Sequence, residues 1–87
     1  MSDQSVLEFP AEFPIKVMGK RDGGFAQAAR EIVERHAGPL QPEQLRERPS
    51  SDGNFLALTF TIQAQSREQL DAIYRDLTAC KLVVMAL

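Results

Sequence analysis

The sequence predicts an α+β fold, in which two helices cover one face of a four-stranded antiparallel sheet in the ferredoxin-like βαββαβ order. Apolar residues alternate with polar ones in two segments, which is typical of strands, and recur every three or four positions in two others, which is typical of helices. The complete order is strand, helix, strand, strand, helix, strand. With 87 residues there is room for one core. We therefore expect an extended, partly disordered lead-in over residues 1–12 and one domain over residues 13–87.

The first strand and first helix follow the lead-in. The inward side chains of the predicted strand are Phe13, Ile15 and Val17. Gly19 is expected to end this strand, and Asp22 to cap the helix that follows. The apolar residues of that helix are Phe25, Ala28, Ala29, Ile32, Val33 and Ala37. Gly38 in the left-handed conformation and then Pro39 should end it.

The middle of the chain predicts two strands joined by a turn. Leu45–Ser50 is polar and contains Pro49, which cannot donate to a central ladder, so this strand belongs at an edge. Asp52-Gly53 supplies the turn. The strand Asn54–Ala64 alternates clearly, and its inward side chains are Leu56, Leu58, Phe60 and Ile62.

A second helix and a final strand complete the chain. Ser66 and Gln69 form a predicted capping box, and the apolar stripe behind them is Leu70, Ile73, Tyr74 and Leu77. The last segment, Lys81–Leu87, is rich in Val, Leu and Met. Right-handed crossovers place the first and third strands in the centre, which gives the order 4-1-3-2.

The final strand is apolar on both faces although the topology places it at an edge. Strict alternation puts Leu82, Val84 and Ala86 on one face and Val83, Met85 and Leu87 on the other. An apolar edge is prone to pair with another chain, so we expect a homodimer or another protein partner there, with Val83, Met85 and Leu87 at the interface. Cover by the N-terminal segment is the alternative.

The turn after the first strand is the candidate ligand site, formed by Gly19, Lys20, Arg21, Gly23 and Gly24. Unpaired amides at a helix N-terminus beside two cations can hold a small carboxylate or phosphate. The pattern matches neither the P-loop nor the dinucleotide fingerprint. A flexible turn with solvated charges is the alternative interpretation.

No set of residues predicts catalysis, a metal or a cofactor, so we expect a protein that is not an enzyme. His36 lacks a neighbouring nucleophile in the pattern and suits the negative end of its helix, and Cys80 is a packing residue. The net charge is −2, and Phe55 is the single aromatic predicted on the uncovered sheet face, which argues against nucleic acid. Without a leader or a long apolar run, and with one cysteine, we expect a cytoplasmic protein that does not bind membranes.

Several short motifs carry a family resemblance over nearly the whole chain. They are Leu7-Glu8-Phe9-Pro10, Phe13 to Gly19, Glu34 to Ala37, Pro49-Ser50-Ser51, Gly53-Asn54, Thr59, Thr61-Ile62, Ala64, Glu68-Gln69, Tyr74 and Leu77. With these residues the sequence resembles the YbeD-like family of small bacterial proteins of unknown function.

The resemblance implies a domain similar to the ACT domains that sense small molecules. ACT domains bind an amino acid near the turn after the first strand, at a subunit interface, and Gly19 is the matching position. The Gly23-Gly24 pair is not part of the family pattern. Family genes often lie near lipoate-attachment genes, which suggests a link to lipoate metabolism. We therefore expect a non-enzymatic regulatory or small-molecule-sensing module, or else an interaction adaptor that uses the exposed sheet edge.

Overall fold

The computed structural model describes residues 8–87 and contains the predicted six elements. They are β1 (Ala11–Lys20), α1 (Phe25–Ala37), β2 (Leu45–Pro49), β3 (Phe55–Ala64), α2 (Arg67–Ala79) and β4 (Val83–Ala86). All neighbouring strands are antiparallel in the order β2-β3-β1-β4, so the predicted order 4-1-3-2 is confirmed. A short 3-10 helix, Pro42–Gln44, precedes β2 and was not predicted.

The core lies between the sheet and the two helices, and it is built from the predicted stripes. Its buried residues include Ile15, Val17, Phe25, Ala29, Ile32, Val33, Leu56, Leu58, Phe60, Ile62, Leu70, Ile73 and Leu77. From the lead-in, Phe9 packs against this core, as does Phe13 at the start of the sheet. The part of the lead-in before Glu8 lies outside the described residues. One face of the sheet is thus covered, and the other stays open.

A proline in a central strand is explained by the shortness of β4. Lys16 and Leu87 exchange two backbone hydrogen bonds, of 3.1 and 2.7 Å, so the N–H and C=O of Lys16 both point toward β4. Pro14, two positions earlier, has the same orientation. Because β4 pairs only with the later part of β1, the missing N–H of Pro14 costs no hydrogen bond of the sheet.

Two predicted boundaries at the β1–α1 turn are wrong. β1 continues through Gly19 to Lys20, which pairs with Phe55, so Gly19 does not end the strand. The helix is preceded by Gly24 and not by Asp22, and no side chain caps it. The reason is that Gly23 and Gly24 both adopt the left-handed conformation, with φ of 88° and 84°, and turn the chain beyond Asp22.

The face assignment of β4 is wrong for Val83. Met18 pairs with Met85, but Gly19 pairs with Val83, so the register shifts and an extra residue is accommodated in β4. Val83 and Ala86 both pack against the core, although alternation separates them. Met85 and Leu87 remain on the open side with Met18 and Lys16, whereas Val83 does not share their face.

Candidate binding surfaces

The exposed turn Lys20–Gly24 contains four of the five predicted ligand-binding residues. Lys20, Arg21, Gly23 and Gly24 are all exposed, and the first turn of α1 has neither an acidic residue nor a side-chain cap. The Arg21 backbone N–H donates to the Asn54 carbonyl at 3.0 Å, which holds the turn beside the β2–β3 loop. The turn therefore combines free helix amides with exposed Arg21, whose Nη1 donates to the Gly53 carbonyl at 3.4 Å, while the Lys20 side chain lies on the sheet face opposite the helices.

Gly19, the fifth predicted residue, is buried away from this surface. A Cβ atom at Gly19 would overlap the ring of Phe25 and would lie 2.6 Å from the Leu82 carbonyl oxygen. The backbone of Gly19 is not in the left-handed region. Glycine is required here because there is no space for a side chain, and not because of the backbone conformation. The close approach of β1, α1 and the start of β4 explains why residue 19 is a glycine.

The two edge strands of the sheet have opposite character. On β2 the exposed residues are Arg46, Glu47, Arg48 and Pro49. The exposed large apolar residues at and around β4 are Leu82 (39%), Val84 (58%), Met85 (48%) and Leu87 (68%). Charged and proline-containing edges resist pairing with other chains, whereas apolar edges invite it. Two of the three predicted interface residues, Met85 and Leu87, thus lie exposed at the apolar edge, whereas Val83 packs against the core; the predicted alternative, cover by the segment before Glu8, lies outside the described residues.

The uncovered face of the sheet, which we call the open face, combines cations with apolar side chains. Its residues, assigned by their cross-strand partners, are Glu12, Pro14, Lys16, Met18, Lys20, Arg46, Arg48, Phe55, Ala57, Thr59, Thr61, Gln63, Met85 and Leu87. On β2 the pairing places Arg46 and Arg48 on the open face, and not their alternating neighbours Leu45 and Glu47. A single carboxylate, Glu12, lies on it near its far end.

Among the described residues, a cluster of titratable groups joins the two helices. His36 Nε2 lies 2.7 Å from Asp76 Oδ2, and Arg35 Nη1 lies 3.6 Å from the same oxygen. The hydrogen bond from His36 is the main reason that the pKa of Asp76 is below its usual 3.8. Gln69 Nε2 also donates to the His36 carbonyl at 3.0 Å. No pattern in the sequence predicts this contact, because the partners are 40 residues apart.

Ser50 and Cys80 both lie at positions where they support the local backbone structure. Ser50 Oγ donates to Asp52 Oδ1 at 2.6 Å and accepts from the Phe55 N–H at 3.1 Å, so it closes its own turn. Cys80 follows α2 as its C-cap. In the part of the chain that the structure describes, no three His, Cys, Asp or Glu side chains are grouped to hold a metal ion.

Fold and surfaces together define a small ferredoxin-like α+β domain with an open sheet face and, within residues 8–87, one apolar edge strand. No helix within residues 8–87 is long and apolar enough to cross a membrane. The model of a protein family described as "Protein of unknown function (DUF493)" matches residues 4–87, so the chain belongs to that family. This agrees with the YbeD-like resemblance and covers nearly the whole chain.

Similar proteins support the same assignment. A UPF0250 protein of Bordetella pertussis is 46% identical over 85 residues, which is 98% of this chain and 93% of that one. A UPF0250 protein of Nitrosomonas europaea is 44% identical over the full length of both chains. The solution structure of HP0495 from H. pylori matches with a TM-score of 0.73 and 16% identity, covering 100% of this chain and 94% of that one. This last likeness concerns the fold alone.

Proposed function

We propose that this chain is a non-enzymatic regulatory module that binds a second protein chain along the outer edge of β4. The contrast between the two edges of one sheet carries the proposal. Edge strands of stable monomers are usually protected by charges, prolines, bulges, short length or cover, and β4 has the bulge and the short length but neither charge nor proline. β2 has Arg46, Arg48 and Pro49, whereas β4 has no charged residue and leaves Val84 largely exposed.

The backbone of β4 supports a strand-to-strand contact. Since Lys16 and Leu87 exchange both of their backbone bonds, the next pair, Val17 and Ala86, belongs to the non-hydrogen-bonded type. Ala86 therefore directs its N–H and C=O away from β1, toward the outer edge. The bulge beside Val84 limits the regular edge to the end of the strand, so the contact is short.

The occupant that this edge fits is a second copy of the chain. Two β4 strands related by a two-fold axis would run antiparallel and join the two sheets into one, with the same patch used on both copies. β4 contains no charge, so two copies would not repel each other there. If two copies instead paired in the same way through their β2 edges, like charges would lie opposite each other.

The test is the oligomeric state of variants at Ala86. A86P removes the outward N–H without removing a bond to β1, and A86S keeps that N–H as the matched control. Sedimentation equilibrium should show dimers for the wild type and for A86S, and monomers for A86P with an unchanged circular dichroism spectrum. A wild type that stays monomeric at its highest soluble concentration, or an A86P chain that still dimerises, contradicts the proposal.

A second candidate function is the sensing of a small acid at the turn Lys20–Gly24. The supporting observation is a helix N-terminus without a side-chain cap that follows directly on a turn with exposed Lys20 and Arg21. Amino acids, octanoate, lipoate and nucleotides form the panel for a thermal unfolding assay. A true ligand at about 100 times its Kd adds roughly 2.7 kcal/mol to the unfolding free energy. R21Q should reduce that gain, and the amide of the same acid should not produce it; a flat panel contradicts this function.

A further inference from the structure

The open face has two unlike halves. In one cross-strand row Leu87, Lys16, Thr59 and Arg46 follow one another, and in the next row Met85, Met18, Ala57 and Arg48 do so. The β4 end of both rows is therefore apolar and the β2 end is cationic, with Lys16 as a third cation beside Leu87 in the first row. Directly paired residues of an antiparallel sheet lie on the same face, so these side chains form one continuous surface.

The cations of this face lack acidic partners within residues 8–87. The ion pairs of the described part of the chain all lie on the helices and involve none of Lys16, Lys20, Arg46 and Arg48. Each of these four side chains is exposed. The open face is thus positively charged although the whole chain has a net charge of −2.

The apolar half of the face is suited to receive side chains and not a cofactor. Met18 and Met85 are direct partners, and a shallow groove of about 110 Å³ runs beside them, lined also by Lys16, Val17, Ala57 and Leu87. Small-molecule pockets usually enclose about 300–1,000 Å³, so this groove alone does not enclose one, whereas the cationic half beside it, over Lys16, Arg46 and Arg48, has a hollow of about 570 Å³. Methionine side chains adapt their shape to different apolar partners.

We propose that the open face binds an acidic amphipathic helix of a partner protein. The distance from β4 to β2 is about 14 Å at strand spacings of about 4.8 Å, which matches a helix of about 10–12 Å diameter. The apolar stripe of the helix lies over Met18 and Met85. Along its flank, carboxylates four residues apart, about 6 Å along the axis, face Arg46 and Arg48, which are about 7 Å apart along their strand.

Charge separates this occupant from the two main alternatives. A second copy docked by the same face would bring the cations Lys16, Arg46 and Arg48 close to their own equivalents, which disfavours it. Single-stranded nucleic acid needs several aromatic residues on which bases stack, and the described open face offers Phe55 alone. An acidic helix instead satisfies the cationic half and the apolar half together. This inference concerns the face and is independent of pairing at the β4 edge.

The experiment uses the full chain and three fluorescent peptides. The probe is a designed 18-residue helix with a leucine stripe and glutamates along one flank. One control peptide replaces the glutamates by lysines, and another keeps the composition but contains central prolines. Binding is followed by fluorescence anisotropy, and the site is located by amide chemical-shift changes. The variant R48E reverses a cation of the face, and R67E reverses a well-exposed arginine of α2 as the matched control.

The proposal requires saturable binding of the glutamate helix, with shift changes at Met18, Ala57 and Met85. R48E should weaken that binding at least tenfold, whereas R67E should change it less than twofold, and both control peptides should bind at least tenfold more weakly. Equal weakening by R67E, equal binding of the proline peptide, or shift changes on the helices would overturn the proposal. So would tighter binding of a single-stranded oligonucleotide than of the helix at the same face.

Discussion

Replacing Gly19 with alanine tests whether the meeting point of β1, α1 and β4 is as tightly packed as the structure indicates. The new methyl group would overlap the Phe25 ring and would lie 2.6 Å from the Leu82 carbonyl oxygen. Carbon atoms make favourable contacts at about 3.5–4.0 Å, so one of these groups must move. Phe25 is buried and cannot swing into solvent, and the Leu82 carbonyl can move only with the start of β4.

The expected cost of G19A is at the upper end of overpacking effects, about 2–3 kcal/mol of unfolding free energy. In a domain of this size each kcal/mol lowers Tm by about 4–8 °C, so Tm should fall by about 10–20 °C. Urea unfolding followed by circular dichroism measures the free energy, and scanning calorimetry measures Tm. An unchanged m-value would show that the denatured state is the same in both proteins.

Gly23 provides the matched control, because a side chain there strains the backbone conformation without meeting a neighbouring atom. A Cβ at Gly23 has no heavy atom within 4 Å, but the residue has a φ of 88°. G23A should therefore cost only about 1 kcal/mol, the penalty of a left-handed L-residue. The reasoning is refuted if G19A stays within about 0.5 kcal/mol of the wild type, a typical surface effect, or is no more destabilised than G23A. F25L combined with G19A should be less destabilising than the sum of the two single changes.

Two further perturbations follow from the helix ends. Ser66 Oγ accepts the Gln69 N–H at 3.1 Å, so S66A should cost about 1 kcal/mol and lower Tm by about 4–8 °C, whereas exposed S51A should leave Tm unchanged. The pKa of Asp76 is lowered in the folded protein, so its charge stabilises the fold above pH 4 and this contribution disappears as the pH falls below 3.8. D76N should thus lower the urea midpoint at pH 7, with the difference from wild type shrinking toward pH 3; a constant difference would show that the charge is not responsible.

The fold could be predicted because the spacing of apolar residues along each element matches the side on which that element is buried. β3 is covered by helices on one side only, and its inward residues Leu56, Leu58, Phe60 and Ile62 alternate without interruption. The polar residues and Pro49 of β2 identified an edge strand before any pairing was known. The βαββαβ order with right-handed crossovers then leaves few topologies, and the predicted one is confirmed.

The errors occur where backbone geometry overrides side-chain pattern. Asp22 is a good capping residue, but two consecutive left-handed glycines move the helix start to Phe25. The alternation of β4 fails at its bulge, because the extra residue there shifts the register and turns Val83 toward the core. Ser66 caps its helix as predicted, but the Gln69 side chain accepts from the Gln65 N–H and not from Ser66. None of these features changes the order of apolar residues, so periodicity cannot reveal them.

The candidate surfaces show why a net charge is a poor guide to partners. A total of −2 suggests no acidic partner, yet antiparallel pairing collects Lys16, Arg46 and Arg48 on one face. The carboxylates of the helices lie on the opposite side of the sheet, where Glu34 and Asp76 are engaged with arginine or histidine. A partner approaching within about 10 Å, the screening length at 0.1 M salt, responds to the nearest face and not to the total. Binding to the open face should therefore weaken with added salt despite the acidic character of the chain, while pairing at the uncharged β4 edge should not.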